Sequence, residues 1–116
     1  MSNLAKLYGV KTISVTGVEA ASVVTLVEAV AGARIYVLGY VLNASTAVTV
    51  KLQSKPAGTA VELTGATGLA LPANGSVASG FNPYGWLETG VGAALQMTLG
   101  GTSAVSGHLA YCVAPE

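Results

Sequence analysis

The chain has 116 residues, of which 52% are apolar and only 9% charged, against roughly a quarter charged in ordinary soluble domains. Five basic residues balance five acidic ones, so no basic stripe exists to neutralise phosphates, and nucleic acid is not an expected partner. The length suits one domain with one core. So little charge on a small chain favours association, which implies a surface largely covered in a permanent assembly.

Residues 1–11, MSNLAKLYGVK, read as an N-terminal arm ahead of a folded domain over 12–116. Leu4, Leu7 and Tyr8 are its apolar side chains, and they are expected to dock on a neighbour. The segment lacks the apolar run of a signal peptide, so production in a cytoplasm is expected. The most apolar window, Val23 to Leu42, is broken by Thr25, Glu28, Gly32 and Arg34. That leaves no stretch long enough for a spanning helix, and no membrane partner is expected.

KTISVT (11–16) predicts a first strand, closed by Gly17. In the next segment the Ala and Glu content permits a helix, but the β-branched run from Val23 to Val27 favours a strand from about Ser22 to Val30. GARIYVLGYVLNASTAVTVKLQS (32–54) predicts two strands joined as a hairpin at Asn43-Ala44-Ser45-Thr46. The second arm alternates, with Val48, Val50 and Leu52 against Thr49, Lys51 and Gln53. The first does not. Ile35, Val37, Gly39 and Val41 lie on one side, and Tyr36, Leu38, Tyr40 and Leu42 are as apolar on the other. An antiparallel strand greasy on both sides needs a second cover, so these last four are the expected oligomer interface, with another copy of the chain as the cover.

Further strands are expected over 59–64, 69–71, 76–81 and 85–89, punctuated by Pro56, Gly58, Pro72-Ala73-Asn74-Gly75 and Asn82-Pro83-Tyr84. Ala93 to Leu99 alternates, with Leu95, Met97 and Leu99 inward. The last strand, 104–114, puts Val105, Leu109, Tyr111 and Val113 on one face. Short strands at spacings near ten residues with Gly-rich turns predict an all-β antiparallel sandwich, a jelly roll of eight or nine strands.

Chemistry is thinly signalled. His108 is the sole histidine and Cys112 the sole cysteine. Four residues of strand separate them by about 13 Å, too far for one metal ion. Each reads as an ordinary strand side chain, and Cys112 as a small buried one. A lone cysteine also excludes an intrachain disulfide. Nothing in the glutamate spacing favours a glycosidase pair. The glycines at 65, 68, 90 and 92 lack the setting of a phosphate loop. Asn43 and Asn74 open glycosylation sequons by chance in a chain without a secretory signal. No metal, no cofactor and no enzymatic activity are expected. Tyr84 and Trp86, with Asn82 as polar partner, could form an aromatic platform for a sugar; the preferred reading is a structured loop whose Trp86 closes an end of the sandwich.

The succession GARIYVLGYVLNASTAVTVKLQS, LTGATGLALPANGSVASGFNPYGWLET and ALQMTLGGTSAVSGHLAYCV resembles small jelly-roll virion proteins of tailed bacteriophages. NPYGWLET and VSGHLAY are its most telling motifs, and the similarity spans about residues 30–113. The resemblance implies a structural role as a capsid decoration or cement protein, commonly a homotrimer, resting on the major capsid protein or another virion protein. Its implied location is the virion. A head-to-tail, tail or fibre-base component is the alternative, and a carbohydrate-binding jelly-roll module is the second. No catalytic residue comes with the resemblance.

Overall fold

The longest strand, Ala33–Ala44, sits inside one of two antiparallel sheets and sets the position of everything else. The computed structural model describes residues 8–17, 23–65, 68–100 and 104–115. Among these residues lie ten strands: β1 (Lys11–Gly17), β2 (Val23–Val27), β3 (Ala33–Ala44), β4 (Val48–Lys55), β5 (Val61–Glu62), β6 (Leu69–Leu71), β7 (Ser76–Ser79), β8 (Leu87–Glu88), β9 (Ala94–Leu99) and β10 (Val105–Pro115). Sheet A runs β1-β10-β3-β7, with β8 also on β3; sheet B runs β2-β9-β4-β5, with β6 also on β4.

The stubs β5 and β6 share one position beside β4, and β7 and β8 share one beside β3. Eight positions result, in the orders 1-8-3-6 and 2-7-4-5, the strand order of a jelly roll. The expected sandwich is therefore present. Its strand number exceeds the expected eight or nine only because two positions are each split by a turn.

The core lies between the sheets. Ile35, Val37, Leu42, Val105 and Leu109 of sheet A meet Val50, Leu52, Leu71, Leu95, Met97 and Leu99 of sheet B, all buried. The shortest dimension is 21 Å, which fits two layers about 10 Å apart with side chains on both outer faces. The alternation read in β4 and β9 holds residue by residue, with Val48, Val50, Leu52, Leu95, Met97 and Leu99 buried and their neighbours half-exposed.

Two expectations about β3 need correction. First, Asn43–Thr46 is not a hairpin turn. β3 pairs with β10, β7 and β8, whereas β4 pairs with β9, β5 and β6. The turn is a corner between sheets, so the apolar faces of β3 and β4 stack across the core instead of lying side by side. Its backbone bonds go elsewhere: Ala44 N–H donates to the Gly75 carbonyl at 2.9 Å and Ser45 N–H to the Ala104 carbonyl at 3.0 Å.

Second, β3 does not keep one parity. Tyr111 pairs with Val37 and Ala110 with Gly39, which leaves Leu38 as an extra, bulged residue. Before the bulge Ile35 and Val37 reach the core; after it Leu42 and Ala44 do, with Tyr40 packed partly against it. Gly39 and Val41 therefore turn outward, not inward with Ile35 and Val37. The bulge accounts for a strand apolar in both parities.

Where the paired β10 passes β3, Gly107 adopts φ of +151° opposite Leu42. A Cβ there would overlap the Val41 carbonyl oxygen, so the glycine of VSGHLAY is a steric requirement of the sheet.

Candidate attachment surface

The bulge at Leu38 is also where the NPYGWLET segment is tied down. Asn82 N–H donates to the Leu38 carbonyl at 2.8 Å, and Trp86 N–H to the Val37 carbonyl at 2.7 Å. Farther along, Thr89 N–H donates to the Ile35 carbonyl at 2.9 Å, and Gly92 N–H to the Ala33 carbonyl at 2.8 Å. Residues 79–92 thus follow β3 from Tyr40 back to Ala33 as the outer edge of sheet A, with the Asn82–Gly85 turn standing out beside the bulge.

Each residue type in the motif has a local task. The Asn82 carboxamide oxygen accepts from Tyr84 N–H at 3.0 Å, while its nitrogen donates to the Gly85 carbonyl at 3.2 Å. These two bonds close the turn, with Pro83 fixing φ and Gly85 at φ +90°. Asn82 is therefore spent on the turn and is not the polar partner of a platform. The Trp86 indole N–H donates to the Gly80 carbonyl at 2.6 Å. Thr89, buried, accepts from Ile35 N–H at 3.0 Å through its hydroxyl and donates to the Gly90 carbonyl at 3.1 Å. Gly90 N–H in turn donates to the buried Ser54 hydroxyl of β4 at 2.9 Å. That chain of bonds pins the edge of sheet A to sheet B.

Two concavities flank the Gly80–Trp86 loop. On one side a shallow apolar groove of about 320 Å³ runs over the outer face of sheet A, lined by Val10, Thr12, Val41, Phe81, His108 and Ala110, among others. Phe81 stays 58% exposed at its rim. On the other side a smaller cleft of about 160 Å³ is lined by Tyr36, Tyr84, Gly85, Trp86, Leu87 and Glu88. Arg34 and Glu88 form an ion pair of 3.4 Å beside it.

The expected interface residues are distributed unevenly over this surface. Leu4 and Leu7 lie outside the described residues, while Tyr8 is exposed, three residues before the start of β1. Tyr36 is half-buried and lines the cleft. Tyr40 is half-buried between core and groove. Leu38 and Leu42 are fully buried within the single chain, so they already have the cover that their position seemed to demand of a second copy. Tyr84 and Trp86 are both exposed, and Trp86 lines an open cleft instead of closing an end of the sandwich.

His108 is exposed on the groove, whereas Cys112, four residues on, is fully buried, and burial pushes its thiol pKa up. Among the described residues no group of three or more His, Cys, Asp or Glu could hold a metal ion, and no helix is long and apolar enough to cross a membrane. Sequence reasoning missed Phe81, Val41 and Ala110 as a shared surface. Phe81, the sole phenylalanine, was the one available signal. Val41 was hidden by the parity change at Leu38.

The chain matches no protein-family model and no curated protein. Among solved structures it is similar to a chain of the cyanophage Pam1 capsid asymmetric unit, at 18% identity over 90% of this chain and 85% of that chain, with a TM-score of 0.42. Nothing about function follows from a likeness at that level.

Proposed function

We propose that the chain is a structural virion protein of a tailed phage, a capsid decoration protein that attaches through the outer face of sheet A. The observation that carries this reading is the groove of Val10, Val41, Phe81 and Ala110. It is broad, shallow and apolar, suited to a protein surface and poorly supplied with the polar groups that substrate chemistry requires. The sequence motifs supply the virion setting, and the scarcity of charge fits a molecule held permanently among others. In this reading the chain is not an enzyme, binds no metal or cofactor, and engages neither nucleic acid nor membrane. Its partners are the major capsid protein and further copies of itself, as a homotrimer.

Cryo-electron microscopy of the purified particle tests the proposal. Sandwich-shaped density repeated over the head lattice, with sheet A towards the shell, is the expected result. Density only at the neck, tail or fibre base would move the protein to that alternative role. Absence from particles that are otherwise complete would overturn both. Removal of Ser2 to Val10 should leave a folded β protein by circular dichroism but weaken attachment, because it removes Val10 from the groove together with Leu4, Leu7 and Tyr8.

A further inference from the structure

The cleft on the far side of the Gly80–Trp86 loop differs in kind from the groove, and we infer that it is a binding site for a neutral pyranose sugar. The inference does not rest on the virion reading. Its walls are Tyr84, 44% exposed, and Trp86, 53% exposed. A hexose offers a patch of C–H bonds, weakly positive at hydrogen, to the negative face of such a ring, and its hydroxyls to polar groups at the rim. Both elements are present here.

The indole ring and the loop that carries both aromatics are held before any ligand arrives. The indole N–H is already engaged by the Gly80 carbonyl at 2.6 Å, so what Trp86 has left to offer is its apolar face. The Asn82 bonds and the two backbone bonds to Val37 and Leu38 fix the loop that carries both rings. A site built this way loses little freedom on binding. On the polar side, the Glu88 carboxylate has a half-exposed side chain and lies 3.4 Å from the Arg34 guanidinium. Of the two, Glu88 lines the cleft, so its carboxylate offers acceptors to hydroxyls there and disfavours an acidic sugar, while the Arg34 guanidinium is shared between Glu88 and the Thr89 carbonyl. About 160 Å³ of open volume suits one ring at a time, as expected of a residue within a longer polysaccharide.

Trp86 is the sole tryptophan, so its emission reports on this site alone. Titrating the full chain with maltohexaose or cellohexaose should shift that emission saturably, and hexagalacturonate should not. By calorimetry, W86A should weaken the neutral oligosaccharide at least about tenfold, E88Q should weaken it less, and T49E, on the outer side of β4 in the other sheet, should leave it unchanged. Y84A, which keeps the indole bond, guards against loss of binding through misfolding and should also weaken it. No saturable response to either neutral oligosaccharide would overturn the proposal, as would full affinity in both W86A and Y84A, or tighter binding of the acidic probe. The titration needs no particle, so its failure is distinct from failure of attachment.

Discussion

Thr49, Lys51, Gln53 and Thr98 stand on the outside of sheet B; Gly39, Val41 and Ala110, with Phe81 over the edge, stand on the outside of sheet A. The inner faces are alike, both lined by buried aliphatic side chains. The outer faces are not. Sheet B satisfies itself laterally: the Thr98 hydroxyl donates to the Gln53 carboxamide oxygen at 2.6 Å, and the Gln53 nitrogen donates to Glu62 at 2.9 Å. That network is polar, although it leaves Glu62 Oε2 buried without a hydrogen bond and Val23 exposed opposite Thr98. Sheet A leaves an apolar groove with an exposed phenylalanine at its rim, a surface whose burial would be favourable. The comparison teaches that one sandwich can carry a polar network on one outer face and an apolar groove on the other with no change of core.

The largest expected effect breaks the open side. F81E places a carboxylate where the account requires a dry contact, at a cost of several kcal/mol if the charge stays buried and unpaired. Particle occupancy should fall by about a hundredfold or more, while the thermal unfolding midpoint should barely move because Phe81 is exposed in the free chain. T49E on sheet B should leave occupancy intact. Equal losses from the two substitutions would erase the distinction between the faces.

The next effect tests the register that creates the open face. G107A should destabilise the fold by about 2–4 kcal/mol in denaturant unfolding, because the added methyl meets the Val41 carbonyl and the φ is unfavourable for alanine. Near-native stability would mean that β3 and β10 are not registered as described.

How much of this was legible beforehand depended on whether a strand was regular. In β4 and β9 no bulge intervenes, so period-two reading placed Val48, Val50, Leu52, Leu95, Met97 and Leu99 inward correctly, missing only the buried Ser54. In β3 one unpaired residue reversed the parity, and because residues of both parities are apolar, composition could not reveal where. The pairing partner of β3 was equally hidden. A turn of Asn, Ala, Ser and Thr fits a hairpin or a corner, and only long-range contacts with Gly75 and Ala104 decide. In the candidate sites, Tyr84 and Trp86 were visible as a pair of aromatics, but the consumption of Asn82 by its own turn was not. Nor was the bulged segment's role as tether for NPYGWLET, since residues about 45 positions apart must meet.

A smaller effect probes the tie between the sheets. T89V removes the hydroxyl that accepts from the buried Ile35 N–H and should cost about 1–3 kcal/mol. Hydrogen exchange should show the Ile35 amide losing protection before amides of β9. Smaller again is T98V on the polar face of sheet B, where a half-exposed bond to Gln53 is lost. About 0.5–1.5 kcal/mol is expected, with no change in attachment.

The central claim is that sheet A, and not sheet B, is the covered face in the assembly. Hydroxyl-radical footprinting of the free and particle-bound chain measures this directly, side chain by side chain. The account predicts strong protection of Phe81, Tyr40 and Val41 on attachment, with Thr49, Lys51 and Gln53 modified as in the free protein. Protection of Thr49, Lys51 and Gln53 with Phe81 still reactive would contradict it.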